Sequence, residues 1–392
     1  MLIGIAAVVV PATPAGAAAA PPGGAQRALS GHTVSAGHTT ATAPEQADDP
    51  GQAADVDSDV LLAATPTGSG VGAAGAGGGW WSASTAEDGP EPSSVWAGRL
   101  DGVGGDQRIS PDDGRRHVRP VTDGKTVVWS AYQDRSCYLL ARPLTDGPVQ
   151  ELVTSQGLNC SFVAQGVEGN TVTYTDAGYK SRPTRAAYLR IGGSGPVGIP
   201  PTGGGNPQTT STRFPSLHDG RIAFDDCRYT AATGTHCRIA VLDVTTGRRT
   251  EVADTKLPTP TAITSRYVYW LDIEDDGTGS GPTALRRANL DGSDPVVLSP
   301  ASGADALLID GLTASEDAVT VSARTVDGTT GPGAPAKLWQ FSPDGAHRER
   351  VSCNHGDQLL PAAADARQVV WIDTTTGSNS LVTRTQPVGT CA

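Results

Sequence analysis

Short apolar runs alternate with polar turn residues along the chain from about Trp80 to its end. In the clearest copy, Thr126-Val127-Val128-Trp129 follows an Asp123-Gly124 turn, and a polar gap separates it from Cys137-Tyr138-Leu139-Leu140. A second turn, Asp146-Gly147, then leads to a fourth run. β-Branched and aromatic residues in such short runs favour strands, and Asp-Gly tolerates the positive φ of a tight hairpin. One copy therefore predicts a four-stranded antiparallel sheet.

The second strand of each copy ends in an aromatic or large apolar residue, which serves as a marker of the repeat. The seven markers are Trp81, Trp129, Tyr174, Phe224, Trp270, Val321 and Trp371. Their spacing is close to the roughly 40–50 residues of one β-propeller blade. The sequence thus predicts an all-β fold, a seven-bladed β-propeller of four-stranded antiparallel blades. Six blades plus an irregular N-terminal sheet is the alternative, because Gly70 to Gly79 is almost all Gly and Ala.

The last copy has only three predicted strands, Leu360 to Ala363, Gln368 to Trp371 and Leu381 to Thr385. An apolar segment, Val60 to Ala64, lies upstream of the first copy. Because an unpaired edge strand invites aggregation, we expect this N-terminal segment to supply the fourth strand and close the last blade.

The pattern resembles two families of secreted or periplasmic propellers. The Asp-Gly and Thr-Gly turns ahead of the second and fourth strands resemble the TolB-like family. Val268-Tyr269-Trp270-Leu271-Asp272, followed by Arg287-Ala288-Asn289-Leu290-Asp291-Gly292, resembles the YWTD repeat of lipoprotein-receptor propellers, with Leu271 in place of Thr. The resemblance implies a propeller from about Val60 to Ala392. Neither motif carries catalysis, so it also implies a binding role.

The N-terminal region has the composition of an export signal followed by a linker. Leu2 to Val10 is apolar and precedes Ala15-Gly16-Ala17, an A-x-A cleavage site, which predicts a signal peptide over residues 1–17. Residues 18–57 are rich in Ala, Gly, Pro and Thr and predict a disordered linker, which leaves residues 58–392 for the propeller. No other segment is long and apolar enough to predict a membrane span. We therefore expect a secreted, extracellular protein.

The six cysteines are an even number, which in an exported chain predicts disulfides. Cys227 and Cys237 flank a predicted hairpin within one blade, so we expect them to pair. A bridge between Cys353 and Cys391 would pin the C-terminal end to the last blade. Cys137 and Cys160 would then pair and join the second and third blades. A metal site is the rival interpretation, but no C-x-x-C spacing supports it.

Acidic residues outnumber basic ones by 41 to 29, and the formal net charge is −12. A chain of this balance without a basic stripe is not typical of proteins that bind nucleic acid or anionic lipid. We expect neither partner, and we expect a monomer.

Four aspartates stand two residues after a marker, in one column of the repeat. They are Asp176, Asp226, Asp272 and Asp373. A catalytic or metal site in the central channel is one interpretation. The resemblance to YWTD repeats implies the other, in which aspartate at this place braces backbone groups of a neighbouring blade. We favour the structural role, because four equivalent residues fit it better than a site.

One predicted loop, Asp272 to Gly277, has carboxylates at alternating positions. Asp272, Glu274 and Asp276 are hard oxygen donors that could coordinate Ca²⁺. The EF-hand pattern requires Glu at position twelve, where this chain has Thr283. A solvated acidic hairpin tip is therefore the favoured interpretation, and no other cofactor is expected.

No catalytic motif stands out, since the sequence has neither G-x-S-x-G nor H-E-x-x-H. The catalytic residues, if there are any, are unknown. The sequence favours a non-catalytic propeller that binds a protein or glycan partner through long loops on one rim. The predicted loops are Ala131 to Ser136, Thr175 to Thr184, Arg228 to His236, Ile273 to Pro282 and Thr325 to Ala336. Two alternatives are a propeller enzyme, a lyase or glycan-cleaving hydrolase with its site at the central channel, and a structural cell-surface protein.

Overall fold

The computed structural model describes residues 60–63, 71–85, 92–157, 160–177, 184–202, 209–232, 234–273, 283–325, 335–377 and 379–391. The predicted signal peptide and linker lie outside these residues. Every regular element within them is a β-strand. No helix in this part of the chain has the length and apolar character needed to span a membrane.

The strands follow one another in four-stranded antiparallel units. Strand β1 is Val60–Ala63. Unit 1 is β2 (Val71–Gly77), β3 (Trp80–Thr85), β4 (Val95–Arg99) and β5 (Gln107–Arg108). Unit 2 is β6 (Arg116–Thr122), β7 (Thr126–Gln133), β8 (Ser136–Pro143) and β9 (Gln150–Gln156). Unit 3 is β10 (Phe162–Glu168), β11 (Thr171–Asp176), β12 (Arg185–Arg190) and β13 (Val197–Gly198). Unit 4 is β14 (Thr210–His218), β15 (Arg221–Thr230), β16 (Gly234–Asp243) and β17 (Arg249–Thr255).

The remaining units complete the described chain. Unit 5 is β18 (Thr261–Ile263), β19 (Tyr267–Ile273), β20 (Thr283–Asn289) and β21 (Val296–Ser299). Unit 6 is β22 (Leu307–Ala314), β23 (Val319–Thr325), β24 (Lys337–Phe341) and β25 (Arg348–Arg350). Units 5 and 6 share one eight-stranded sheet, which a single pairing of Thr283 with Leu307 connects. Unit 7 is β26 (Gln358–Ala363), β27 (Val369–Asp373) and β28 (Ser380–Arg384).

The fourth strand of unit 7 comes from the other end of the described chain. Strand β1 pairs antiparallel with β28, with Val60 opposite Thr383 and Leu61 opposite Val382. The predicted use of the N-terminal segment in the last sheet is confirmed by this pairing. The Gly- and Ala-rich segment, for which an irregular sheet was the alternative, forms β2 of a regular unit.

The core lies between neighbouring units. All seven marker residues are buried, and apolar clusters join one unit to the next, as where Trp129 of unit 2 packs with Val95 and Ala97 of unit 1. The first strands of successive units are in contact from β2 through β6, β10, β14, β18 and β22 to β26. Strand β26 also contacts β2, so this series of contacts returns to its start.

Two of the loops predicted to be long are in fact paired strands. Strands β7 and β8 continue to a pairing of Gln133 with Ser136, which leaves only Asp134 and Arg135 in the turn. Strands β15 and β16 are paired as far as Thr230 and Gly234. The prediction was wrong there because the polar residues at these positions were taken as loop residues. They belong to paired strands whose side chains reach solvent on one face. All five predicted loops join second and third strands.

Candidate functional site

Antiparallel order divides the connections between two sides of the units. The turns between first and second strands, and those between third and fourth strands, lie on one side, which we call the turn rim. The connections between second and third strands, and those from each unit to the next, lie on the opposite side, which we call the loop rim. Hydrogen bonds from carboxylates connect units on the turn rim, and disulfides lie on the loop rim.

Carboxylates on the turn rim accept hydrogen bonds from the backbone of a neighbouring unit. Asp123 Oδ2 accepts from the Gly169 amide at 2.8 Å, and Glu168 Oε2 accepts from the Gly220 amide at 3.3 Å. Asp365 Oδ2 accepts from the Gly79 amide at 3.0 Å and so joins unit 7 to unit 1. These turns therefore use their polar groups to hold units together.

One carboxylate on the turn rim joins three units. Glu316 of unit 6 accepts hydrogen bonds from the amide of Ser265 at 2.8 Å and from its hydroxyl at 2.6 Å. His218 Nε2 of unit 4 lies 2.9 Å from the same carboxylate. The turn rim is thus held together by short polar contacts between neighbouring units.

Disulfides stabilise the loop rim. The bonds are Cys137–Cys160, Cys227–Cys237 and Cys353–Cys391, which confirms the three predicted pairings. Cys160 precedes β10 and Cys353 precedes β26, so two bonds hold connections between units. Three disulfides are typical of proteins in an oxidising compartment, extracellular or periplasmic.

The β15–β16 hairpin carries exposed side chains beyond its disulfide. Cys227 and Cys237 are paired residues in adjacent strands, and the ladder continues past them through Arg228 opposite His236. We call residues 228–236 the hairpin tip; its Thr233 lies outside the described residues. Tyr229 is 52% exposed, and its amide donates to the Thr209 carbonyl at 2.7 Å. The backbone at the tip is therefore fixed while the tyrosine ring reaches solvent.

The charged groups at the hairpin tip have few partners. The His236 side chain is 53% exposed, and Nε2 lies 3.8 Å from Asp254 Oδ1. Among the described residues, the Arg228 guanidinium and the Tyr229 hydroxyl have no hydrogen bond or ion pair. Arginine and tyrosine are the residue types enriched at binding hot spots.

The four column aspartates have different surroundings. Asp226 Oδ2 accepts from the Thr202 amide at 2.9 Å, in the connection ahead of unit 4, and pairs with Arg249. Asp373 Oδ2 accepts from Trp371 Nε1 at 3.0 Å and from Asn354 Nδ2 at 3.1 Å. The structure does not bring these carboxylates together into one site, since each contacts its own connection or strand.

The other two column aspartates lie at strand ends. Asp272 forms an ion pair with Arg286 Nε at 2.9 Å, and Asp176 ends β11 opposite Arg185. Glu274 and Asp276, the other predicted Ca²⁺ ligands, lie outside the described residues.

Sequence reasoning missed a second polar column, one residue after the marker. Asp225 is fully buried, and its Oδ2 accepts from the Thr259 amide at 3.1 Å in the connection to unit 5. Burial raises the pKa of Asp225 to about 7, against the effect of nearby Arg213. In the same column, Ser130 Oγ accepts from the Ala164 amide at 3.2 Å, and Ser322 Oγ donates to the Gln358 carbonyl at 2.6 Å. The sequence feature that could have indicated this column is a polar residue directly after the marker in an otherwise apolar strand.

A possible metal cluster at Asp225, Cys227 and Cys237 lacks the necessary thiolates. The ligand atoms of the three residues lie within 4.8 Å of one another. Both sulfurs are in the Cys227–Cys237 disulfide, which leaves only the carboxylate as a good donor.

Solved structures match the chain over most of its length. The β-propeller domain of the Trilobed protease from Pyrococcus furiosus aligns with 80% of this chain and 95% of its own, with a TM-score of 0.58 and 10% identity. The fold is a β-propeller. Neither a family model nor a curated protein sequence matches this propeller.

Two peptidases contain a similar propeller as part of a longer chain. A puromycin-hydrolyzing peptidase of Mycobacterium tuberculosis aligns with 85% of this chain and 55% of its own, with a TM-score of 0.51 and 16% identity. A prolyl endopeptidase aligns with 82% of this chain and 50% of its own, with a TM-score of 0.54 and 11% identity. The propeller described here spans about half the length of these two peptidases. At such identities the similarity establishes the fold alone.

Proposed function

We propose that this chain is a secreted, monomeric, seven-bladed propeller that binds a protein partner through its loop rim. The strands form six sheets, one of which contains both unit 5 and unit 6, so seven units are present. The contact of the first strand of unit 7, β26, with that of unit 1, β2, supports a closed ring of seven blades. The mixed sheet of β1 and β28 supports closure by the N-terminal strand. The three disulfides support export, since the cytosol keeps thiols reduced.

The hairpin tip carries the binding proposal. Its Tyr229 and Arg228 are exposed on a hairpin that a disulfide and a complete ladder hold in one shape. A rigid hairpin loses little conformational entropy on binding, so more of the contact energy appears as affinity. Tyrosine supplies a large amphipathic ring at low entropic cost, which suits a protein surface. A glycan is the other outcome that the test distinguishes.

The test is affinity capture with the full chain as bait against secreted and cell-wall fractions of the producing cell. Tyr229→Ser and Arg228→Ser are expected to lose a protein that the parent retains. Val103→Ser is the matched control, because Val103 is 65% exposed but lies on the turn rim between β4 and β5. Digestion of the captured fraction with protease or glycosidase identifies the partner class.

Two results contradict the proposal. Equal capture by the parent and Tyr229→Ser would show that the hairpin tip is not the binding surface. Loss of capture with Val103→Ser alone would assign binding to the turn rim.

A further inference from the structure

Three first strands carry the same kind of bulge at the same height. In each, two residues stand opposite one marker, and the second of the two is proline. The pairs are Arg119-Pro120 opposite Trp129, Phe214-Pro215 opposite Phe224, and Leu360-Pro361 opposite Trp371. The residue before each proline has a positive φ, of 54°, 50° and 50° respectively. Residues other than glycine rarely adopt this backbone conformation, so the surrounding packing must stabilise it.

The proline side of each bulge lies against the preceding unit. A Cβ on Gly75 of β2 would stand 2.7 Å from the Pro120 carbonyl oxygen, and one on Gly311 of β22 would stand 3.1 Å from Pro361 Cδ. Thr173 Oγ1 of unit 3 contacts the Pro215 carbonyl oxygen at 3.4 Å. Each proline therefore fills the seam between two units. A bulge of this kind changes the direction of a neighbouring side chain. Here the residue before each proline is directed away from the contact between the two units.

The residues before the prolines are open to solvent although they belong to first strands. Leu360 is 44% exposed, and Arg119 and Phe214 are partly exposed. First strands contact one another on both sides and a second strand behind, so the solvent that reaches mid-strand residues lies on the inner side of the ring. We call Arg119, Phe214 and Leu360 the channel layer.

The channel layer combines one cation with apolar surface. The Arg119 guanidinium has no hydrogen bond or ion pair with any described residue. A partly buried guanidinium without an anionic partner is poorly satisfied, and a planar carboxylate would accept two of its hydrogen bonds.

We propose that the channel layer binds a small organic carboxylate, with its carboxylate on Arg119 and its apolar body between Phe214 and Leu360. Burying an aliphatic body in this layer removes apolar surface from water, while Arg119 fixes the orientation. The proposal rests on the closed ring proposed above and is independent of the hairpin tip.

The test is calorimetric titration of the full chain with octanoate. Glycine is the substitution of choice, because it adopts positive φ without strain and so keeps the bulge intact. We expect Arg119→Gly to weaken octanoate binding about tenfold or more, the scale of a lost charged hydrogen bond. Leu360→Gly is expected to weaken it about tenfold through lost apolar contact.

Asp134→Gly is the matched control. Asp134 has a φ of 53° but lies in the exposed β7–β8 turn, so this variant relieves the same strain outside the channel. It should bind octanoate like the parent, and so should Tyr229→Ser, whose tyrosine is on the hairpin tip. Acetate and octylammonium, which lack the apolar body and the anion respectively, should not displace octanoate.

Several results overturn the proposal. The parent chain could fail to bind octanoate, or Arg119→Gly could bind it as tightly as Asp134→Gly does. Displacement of octanoate by acetate at the same concentration would contradict a contribution of the apolar body to binding. Displacement by octylammonium would contradict recognition of the carboxylate. Loss of binding in Tyr229→Ser would assign octanoate to the hairpin tip instead.

Discussion

Trp129 donates a hydrogen bond from its indole nitrogen to Nδ1 of His117 across 2.9 Å. Nδ1 must be unprotonated to accept, so the proton of the neutral ring is on Nε2, which lies 3.0 Å from Asp113 Oδ1. The strongest influence on the pKa of His117 is burial, which lowers it, and Asp113 opposes this effect only in part. The buried ring is therefore held neutral between an indole and a carboxylate.

This arrangement predicts a loss of stability in acid. The pKa of His117 is lower in the folded chain than the ordinary 6.5 of the unfolded chain, so the unfolded state binds the proton more readily. The stabilisation is complete above about pH 6.5 and is lost as the pH falls through the folded pKa. Urea unfolding at pH 7.5 and pH 5 should show a smaller difference for His117→Gln, which keeps both hydrogen bonds without titrating. Equal differences in parent and variant would contradict the prediction.

Asp225 predicts a pH dependence of the opposite sign. Burial raises its folded pKa to about 7, above the ordinary value near 3.8, so the folded state binds the proton more readily. Its contribution to stability therefore falls as the pH rises from about 4 to 7. Asparagine stays neutral and can still accept from the Thr259 amide. We expect Asp225→Asn to unfold at the same or higher urea concentration than the parent at pH 8. A variant that is equally destabilised at pH 5 and pH 8 would show that the charge is not the cause.

The Cys227–Cys237 bond predicts protection of the hairpin from protease. A Cys227→Ser, Cys237→Ser double variant should lose about 2–4 kcal/mol of stability, the usual range for a disulfide. With the bond removed, the tip can open locally, so trypsin should cut after Arg228 in the variant and not in the parent. Mass spectrometry of the digest measures this. The control is Cys353→Ser with Cys391→Ser, and cleavage after Arg228 in that control would show a global effect instead.

The close packing around Gly75, where units 1 and 2 meet, predicts that no larger residue is tolerated at this position. A Cβ there would stand 2.7 Å from the Pro120 oxygen and 2.9 Å from Val121 Cα, and both are backbone atoms. Gly75→Ala should therefore cost about 1–3 kcal/mol in the free energy of unfolding, as overpacking does. Gly198→Ala, whose Cβ would meet only Arg185 Cδ at 3.8 Å, should change it by less than about 0.5 kcal/mol. Similar unfolding midpoints for the two variants would contradict the close approach of β2 and β6.

The sequence was informative about the sheets because their signals are local. Asp123-Gly124 and the run that ends at Trp129 together predict a hairpin, and the turn and strand are present as expected. The disulfides were also predictable, since few pairings of six cysteines fit a repeat of known period.

The candidate sites were less accessible to sequence reasoning because they depend on contacts between units. Arg119, Phe214 and Leu360 share only a following proline, and nothing local indicates that their backbone is left-handed. Asp225 was overlooked beside Asp226, because the two differ in which neighbouring unit they face rather than in residue type. The extent of the β15–β16 hairpin was missed for a similar reason, since pairing rather than hydrophobicity sets its length.

The pairing of β1 with β28 has a consequence for how the chain acquires its structure. Val60 and its partner Thr383 lie far apart in the sequence, with the other six units between them. The sheet that contains both cannot be completed until β28 has been synthesised, and such distant contacts form slowly. A chain that lacks β1 would present the open edge of β28. Completion of this ladder therefore depends on two segments that are both remote in sequence and required together.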